Sequence, residues 1–278
     1  MPKDILVPAL SLALLARAKR RLHRCAVHLA LLLPLLLPLP LLAAQTTVAV
    51  ASNFTAPMKV LAQAFEHDTG HQLTLAFGAT GQFYAQIRNG APFAVLLSAD
   101  DDTPLKLERE GLAVAGTRLT YATGRLALWS RQPGLVDPQG QVLRTGHFEK
   151  LAIANPKLAP YGTAALQTLQ ALGLHERLTP KLVEGANVTQ AYQFAASGNA
   201  ALAFVAVAQV FENGQLREGS AWVVPDTLHE PLAQDAVLLK VGQNNPAAAA
   251  LLQYLRTEKA QTIIRGSGYG VQPPPRTR

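Results

Sequence analysis

The sequence predicts an α/β protein of two lobes, each a mostly parallel sheet flanked by helices, with a ligand cleft between them. Three observations carry this expectation. Short apolar runs of strand length alternate with segments of helical periodicity, and the alternation occurs twice along the chain. A further apolar run near residue 235 follows the second series, as if the chain returned to the first sheet. The turns Ser52-Asn53, Gly78-Ala79-Thr80-Gly81 and Ala159-Pro160-Tyr161-Gly162 all fall where a strand ends and a helix begins. In open α/β sheets that is the ligand-binding edge.

The first series opens with TTVAVASNF, a buried strand over 47–51 that runs into a helix over 56–67. Met58, Leu61, Ala62 and Phe65 mark the apolar stripe of that helix, and Gly70 ends it. HQLTLAF alternates, with Leu73, Leu75 and Phe77 on one face, and leads through GATG into the helix QFYAQIRNG. PFAVLLSAD is a third strand, and Asp101 begins another helix. Strand, helix, strand, helix, strand at this spacing means parallel strands with crossover helices.

The run LTYATGRLALWS, 119–130, reads as strand and leads into a Gly- and Pro-rich loop. LAIANP is a buried strand stopped by proline, followed by a helix over 163–172 that Gly173 closes. A short strand at Leu182 and Val183 precedes Gly185-Ala186-Asn187-Val188, and a helix starts near Thr189. ALAFVAVAQV is another buried run, 232–241 is the returning strand, and Asn244-Asn245-Pro246 caps a helix over 247–255. A last helix spans 258–264 before Gly266-Ser267-Gly268-Tyr269-Gly270. The expected lobes are 46–123 with 236–278, and 124–235.

Residues 1–44 are set apart from this pattern. Lys19, Arg20, Arg21 and Arg24 precede an apolar stretch, 26–42, and Ala43-Ala44, the layout of a cleaved secretory signal peptide. Pro34, Pro38 and Pro40, and a run shorter than the ~20 residues of a membrane span, argue against a transmembrane helix. That leader holds six of the 25 Lys and Arg and one of the 18 Asp and Glu. The remainder carries 19 basic and 17 acidic residues, so the high overall charge is no sign of nucleic-acid binding. Cys25, the single cysteine, lies in the leader outside a lipobox, which leaves the exported chain without thiol, disulfide or lipid anchor. A bacterial periplasm is the expected location.

The three turns contain no Lys, Arg, Asp or Glu, only hydroxyls, amides and backbone N–H groups. Helix starts that converge with small neutral donors suit a desolvated anion and point to binding rather than catalysis. Each turn also has a plainer role. Ser52-Asn53 is a good N-cap, and Gly78-Ala79-Thr80-Gly81 lacks the Gly-Lys-Ser/Thr of a nucleotide loop. The run Asp100-Asp101-Asp102 reads as a solvated helix start, and His67 and His71 are separated by the helix-breaking Gly70. No Gly-x-Ser-x-Gly and no ordered Ser-His-Asp set stands out. Tyr84 and Tyr192 read as packing or cleft-rim residues.

The segments VAVASNF, FGATGQFYAQIRNGAPFAVLLSAD, IANPKLAPYGTAAL, EGANVTQAYQFAASGNAALAFVAVAQV and GYG resemble the periplasmic molybdate-binding proteins of ABC importers. The resemblance runs over nearly all of the chain after the leader, and its most specific parts are Ala-Asn-Pro…Ala-Pro-Tyr-Gly and Gly-Ala-Pro-Phe…Ser-Ala-Asp. It implies the two-lobed type II periplasmic binding fold, a monomer, no enzymatic activity and no cofactor, with a membrane permease as partner. By motif it places the ligand donors at Ser52, Asn53, Thr80, Tyr161 and the backbone N–H of Val188. Molybdenum enters only as bound molybdate, or tungsten as tungstate, with no side chain on the metal. Two departures are visible: Thr80 stands where many members have serine, and Ala206 cannot supply the tyrosine hydroxyl that some members place in that segment. Tyr161 or Asn53 is the expected substitute.

Neutral donors make chemical sense for this ligand. Molybdate and tungstate are tetrahedral dianions whose four oxygens all accept, and each hydrogen bond to a charged group contributes about 1.5–3 kcal/mol. Hydrogen phosphate brings an O–H that a donor-only site leaves unpaired. Sulfate has the same charge pattern and differs in size. The alternatives are therefore a receptor for another oxyanion such as sulfate, an oxyanion sensor without transport, and a secreted α/β hydrolase. The last lacks a nucleophile–base pair in the turns.

Overall fold

The computed structural model describes residues 43–271. The expected leader lies outside the described residues except for its last two. The first half runs β1 (Gln45–Ala51), α1 (Thr55–Thr69), β2 (Gln72–Gly78), α2 (Thr80–Arg88), β3 (Val95–Leu97), α3 (Asp102–Arg109) and β4 (Leu119–Gly124). Then come β5 (Leu126–Ser130), β6 (Leu151–Ala154), α4 (Pro160–Ala171), β7 (Leu182–Gly185), α5 (Val188–Ala196) and β8 (Leu202–Ala206). A small hairpin of β9 (Phe211–Glu212) and β10 (Gln215–Leu216) precedes β11 (Ser220–Val223). The chain ends with β12 (Leu232–Leu238), α6 (Pro246–Tyr254) and α7 (Glu258–Gly266).

The strands form two five-stranded sheets, β2-β1-β3-β12-β4 and β7-β6-β8-β5-β11. Both are mixed, and in each four strands run one way and one opposes them: β12 in the first, β5 in the second. The two sheets have the same layout. β6, β7 and β8 take the places of β1, β2 and β3, and the opposed strand is in each case the one that has just arrived from the other sheet. This repeat makes the turns after β1 and β2 the counterparts of the turns after β6 and β7.

Burial explains the strands. Val48, Ala49 and Val50 of β1 are fully buried, as are Val95, Leu96 and Leu97 of β3, because helices cover both faces of a parallel sheet. α1 buries Met58, Leu61, Ala62 and Phe65, the stripe read from the sequence. Its last turn is closed by Gly70 at φ 72°, a left-handed position that glycine adopts without strain. One apolar cluster of the second sheet, built on Leu126, Leu128, Ile153 and Phe204, continues into Ala51, Ala79 and Ala99 at the strand ends of the first. The ligand edges of the two sheets thus meet.

Four sequence readings shift in detail. The run 119–130 is not one strand: it breaks after Gly124, and its halves enter different sheets. The returning strand read as 232–241 starts as read, with Leu232 paired to Gly124, and ends earlier, at Leu238. α4 starts at Pro160 rather than Thr163, because proline's fixed φ suits the first helical position. Phe77 is 36% exposed on the edge strand β2, while Leu73 and Leu75 pack against the first core. Of the acidic run, Asp100 caps α3: its Oδ1 accepts from the Thr103 N–H at 3.0 Å and its Oδ2 from the Thr103 hydroxyl at 3.1 Å. His67 pairs with Asp68, whereas His71 accepts from the Ala44 N–H, so the two histidines serve separate partners.

Candidate anion site

The five sequence candidates all sit where strands give way to helices on the facing edges. Ser52 and Asn53 follow β1 and Thr80 opens α2 after β2; Tyr161 lies in the first turn of α4 after β6, and Val188 opens α5 after β7. All are buried, none more than 6% exposed. Hydrogen bonds here join elements of the first sheet to elements of the second. The Gly81 N–H donates to the Leu158 carbonyl at 2.8 Å, the Thr189 hydroxyl donates to the Ser52 carbonyl at 3.1 Å, and Gln234 Nε2 donates to the Tyr161 hydroxyl at 3.3 Å.

Each candidate offers a different donor. Thr80 Oγ1 accepts from the Ala99 N–H at 3.0 Å, which leaves its own proton to give. Ser98 Oγ lies nearer Asp100 Oδ1 (2.9 Å) than Thr80 Oγ1 (3.4 Å), so the Ser98 proton goes to the carboxylate. Val188 is the first residue of α5, and the first N–H groups of a helix have no partner within it. Asn187 caps the same helix by accepting from the Gln190 N–H at 3.1 Å. Ser52 stands in the wall of a cavity, with its carbonyl held by Thr55 and Thr189.

Asn53 is placed differently from its expected role. Its Nδ2 donates to Gln234 Oε1 at 3.0 Å and to the Tyr269 hydroxyl at 3.1 Å, so both amide hydrogens are spent inside the protein. Only its backbone remains for a ligand. Ala206 is fully buried, and its N–H donates to Gln209 Oε1 at 2.9 Å.

Behind these donors lies a buried polar cluster that the sequence did not reveal. The Tyr269 hydroxyl donates to the Asn53 carbonyl at 2.7 Å, and the Tyr121 hydroxyl lies 2.9 Å from the Ser98 carbonyl and 3.0 Å from Gln234 Oε1. A bulge leaves Tyr121 without a partner where β4 pairs with Gln234 and Asp235 of β12. Phe54 packs edge-on against both Tyr121 and Tyr269, at 4.8 and 5.2 Å between ring centres. Burial pushes the phenols of Tyr121, Tyr161 and Tyr269 above their ordinary value, so each keeps its proton. Tyr269 belongs to the Gly-Tyr-Gly segment, where the sequence suggested only a tight turn; Tyr121 and Gln234 carry no motif.

Two cavities open at the edges of the site. One of about 260 Å³ includes Thr80, Asp100, Leu158, Ala159 and Thr163 in its wall. The other, about 330 Å³, includes Ser52, Thr55, Phe77, Asn187 and Thr189. Among the described residues no group of three or more His, Cys, Asp or Glu is arranged to hold a metal ion. Asp100, in the wall of the first cavity, has its carboxyl pKa raised from the ordinary value by burial and is engaged by Ser98 and Thr103. The arrangement presents O–H and N–H donors at helix starts and can bind an anion without a counter-charge.

A two-lobed α/β fold with donors at the facing strand ends defines a class, and residues 46–270 match the family described as bacterial extracellular solute-binding protein. The chain belongs to that family, one of binding proteins rather than enzymes. Within it, the chain is 59% identical over 230 residues to the molybdate-binding protein ModA of Azotobacter vinelandii, covering 83% of this chain and 91% of that protein. It is 51% identical over 240 residues to ModA of Rhodobacter capsulatus, covering 86% and 94%. The solved structure of the Azotobacter vinelandii periplasmic molybdate-binding protein superposes with a TM-score of 0.80 at 42% identity, over 82% of this chain and all of that one. The sulfate-binding protein SubI of Mycobacterium tuberculosis, at 11% identity and a TM-score of 0.66, shares the fold.

Proposed function

We propose that this protein captures molybdate outside the cytoplasm and delivers it to an ABC permease. The observation that supports the reading is that neutral donors lie at the strand ends of both sheets, Thr80 and Ser52 on one side, Tyr161 and Val188 on the other, all buried. The two ModA relatives, 59% and 51% identical, support the choice of anion. The ligand set is the hydroxyls of Ser52, Thr80 and Tyr161 with the backbone N–H groups of Asn53 and Val188. Asn53 contributes through its backbone because its side chain is engaged elsewhere. Tungstate, which has the same charge and shape, occupies the same donors.

Residues 1–44 act as the signal peptide that takes the chain to the periplasm, where it works as a monomer. The lobes, close to 46–123 with 236–278 and 124–235, close over the anion, and the closed form is the one a permease recognises. A thermal-shift panel tests this reading, since a ligand bound only by the folded state raises the melting temperature. Molybdate and tungstate at micromolar concentration are expected to raise it, and hydrogen phosphate is not. A shift with sulfate alone would move the assignment to a different oxyanion, and ester turnover lost on Ser52→Ala would move it to a hydrolase.

A further inference from the structure

We propose that Gln234 sets the donor polarity of the anion site: its amide fixes the direction of the hydrogen bonds so that the Tyr161 proton is left for the ligand. The inference rests on Tyr161 being a ligand donor, as proposed above. The argument starts from groups that can act in only one way. A backbone carbonyl only accepts, so the 2.7 Å contact to the Asn53 carbonyl uses the Tyr269 proton. The Tyr269 oxygen must then accept from Asn53, which identifies the Asn53 group 3.1 Å away as the NH2. The same NH2 faces Gln234 at 3.0 Å, so that end of the Gln234 amide is its oxygen. That oxygen also shares the Tyr121 proton with the Ser98 carbonyl. The other end, Nε2, must therefore point at Tyr161 and donate to it. Having accepted there, the Tyr161 hydroxyl turns its own hydrogen away from Gln234.

The opposite amide orientation fails on the same contacts. It would set Gln234 Nε2 against Asn53 Nδ2 unless Asn53 also turned over. A turned Asn53 would bring its oxygen to the Tyr269 hydroxyl, whose proton is already given to the Asn53 carbonyl. Gly124 corroborates the design, because a Cβ there would lie 2.2 Å from Tyr161 Oη and 2.5 Å from Gln234 Nε2. The pair meets only because residue 124 has no side chain. Gln234 has no exposure and cannot touch the ligand from outside, so it is a positioning residue.

Gln234→Glu tests the polarity directly. An ionised carboxylate only accepts and would draw the Tyr161 proton to itself, whereas the protonated acid can again donate. The titratable and charged groups around it are the phenols of Tyr121 and Tyr161, the Tyr269 phenol beside Tyr161 and bonded to Asn53, Asp235 with its partner Arg118, and Asp100 beyond Ser98. Calorimetric titration with molybdate at pH 8 is expected to show affinity at least about tenfold below wild type, recovering as the pH falls towards 6. Gln234→Leu is expected to lose affinity by a similar factor at both pH values, and wild type to show no such change. In a Tyr161→Phe background, Gln234→Glu is expected to cost nothing more, because it acts through that hydroxyl. Full affinity of Gln234→Glu at pH 8, an equal loss at both pH values, or losses that multiply in the double variant would overturn the proposal.

A measurement on the wild-type protein covers variants that do not fold. Nuclear Overhauser contacts from the Gln234 amide protons are expected to reach the Tyr161 ring; contacts to the Tyr121 ring and the Asn53 amide instead would refute the orientation. Because this readout needs no ligand, it separates the inference from the molybdate assignment: wild type that binds no molybdate defeats the latter only.

Discussion

The backbone N–H of Gly81 donates to the carbonyl of Leu158, 2.8 Å away, and ties the first turn of α2 to the loop after β6. A Cβ at residue 81 would lie 3.0 Å from Leu158 Cα and 3.1 Å from its carbonyl oxygen, closer than backbone atoms tolerate without moving. The contact joins the two lobes beside Thr80. Gly81→Ala is therefore expected to resist closure and to weaken molybdate binding about tenfold, equivalent to about 1.4 kcal/mol. Its melting temperature without ligand should change little. Calorimetry and a melt on the same sample check both, and undiminished affinity would show that the contact does not limit closure.

Thr80→Ala removes a proton donor and also the acceptor of the buried Ala99 N–H. An affinity at least about tenfold lower is expected, with a stability loss of about 1–3 kcal/mol for the unsatisfied N–H. Thr80→Ser keeps the hydroxyl and should retain most of both. Denaturant melts and titrations of the two variants separate the effects.

Gly124→Ala forces a methyl into the Tyr161–Gln234 contact. Overpacking of this kind costs about 1–3 kcal/mol, so the melting temperature should fall. Binding should weaken too, because the displaced hydroxyl belongs to the proposed ligand set. A variant as stable as wild type would mean that the loop between β4 and β5 yields easily.

The buried phenols set the pH response. Their folded-state values lie above the ordinary 10.0, so the folded protein holds these protons more tightly than the unfolded chain does. Their contribution to stability is complete below pH 10 and declines as the pH rises past it. Asp68 acts with the opposite sign, held below its ordinary 3.8 by hydrogen bonds from Lys259, His67 and Tyr254. Its contribution is present above that value and is lost as the pH falls through and below it. A pH series of urea melts should show no loss from either source between about pH 5 and 9.

Much of this was legible in the sequence, for local reasons. Met58, Leu61 and Phe65 declare α1 by their spacing, and Gly70 ends it in the one conformation glycine adopts freely. The turns that hold Ser52, Thr80 and Tyr161 were legible because strand ends and helix starts are themselves local patterns, while Val188 was marked only through the family resemblance. Gln234, Tyr121 and Tyr269 were not, because their meaning lies in contacts with residues far away in the chain: Gln234 reaches Asn53 across 181 positions and Tyr269 reaches it across 216. The break after Gly124 was hidden because both halves of 119–130 have strand composition, and which sheet each half joins is decided by partners elsewhere. For Asn53 the sequence correctly marked a polar residue at a strand end, yet the destination of its amide depended on that distant cluster.

The most direct test of the central claim is an isothermal titration of the purified protein with molybdate at pH 7, repeated with tungstate, sulfate and hydrogen phosphate. The account predicts one site that takes molybdate and tungstate tightly, sulfate more weakly and phosphate not at all, with the molybdate affinity reduced in Tyr161→Phe. Phosphate binding as tightly as molybdate, or a Tyr161→Phe variant that binds molybdate as wild type does, would contradict a site built from neutral donors.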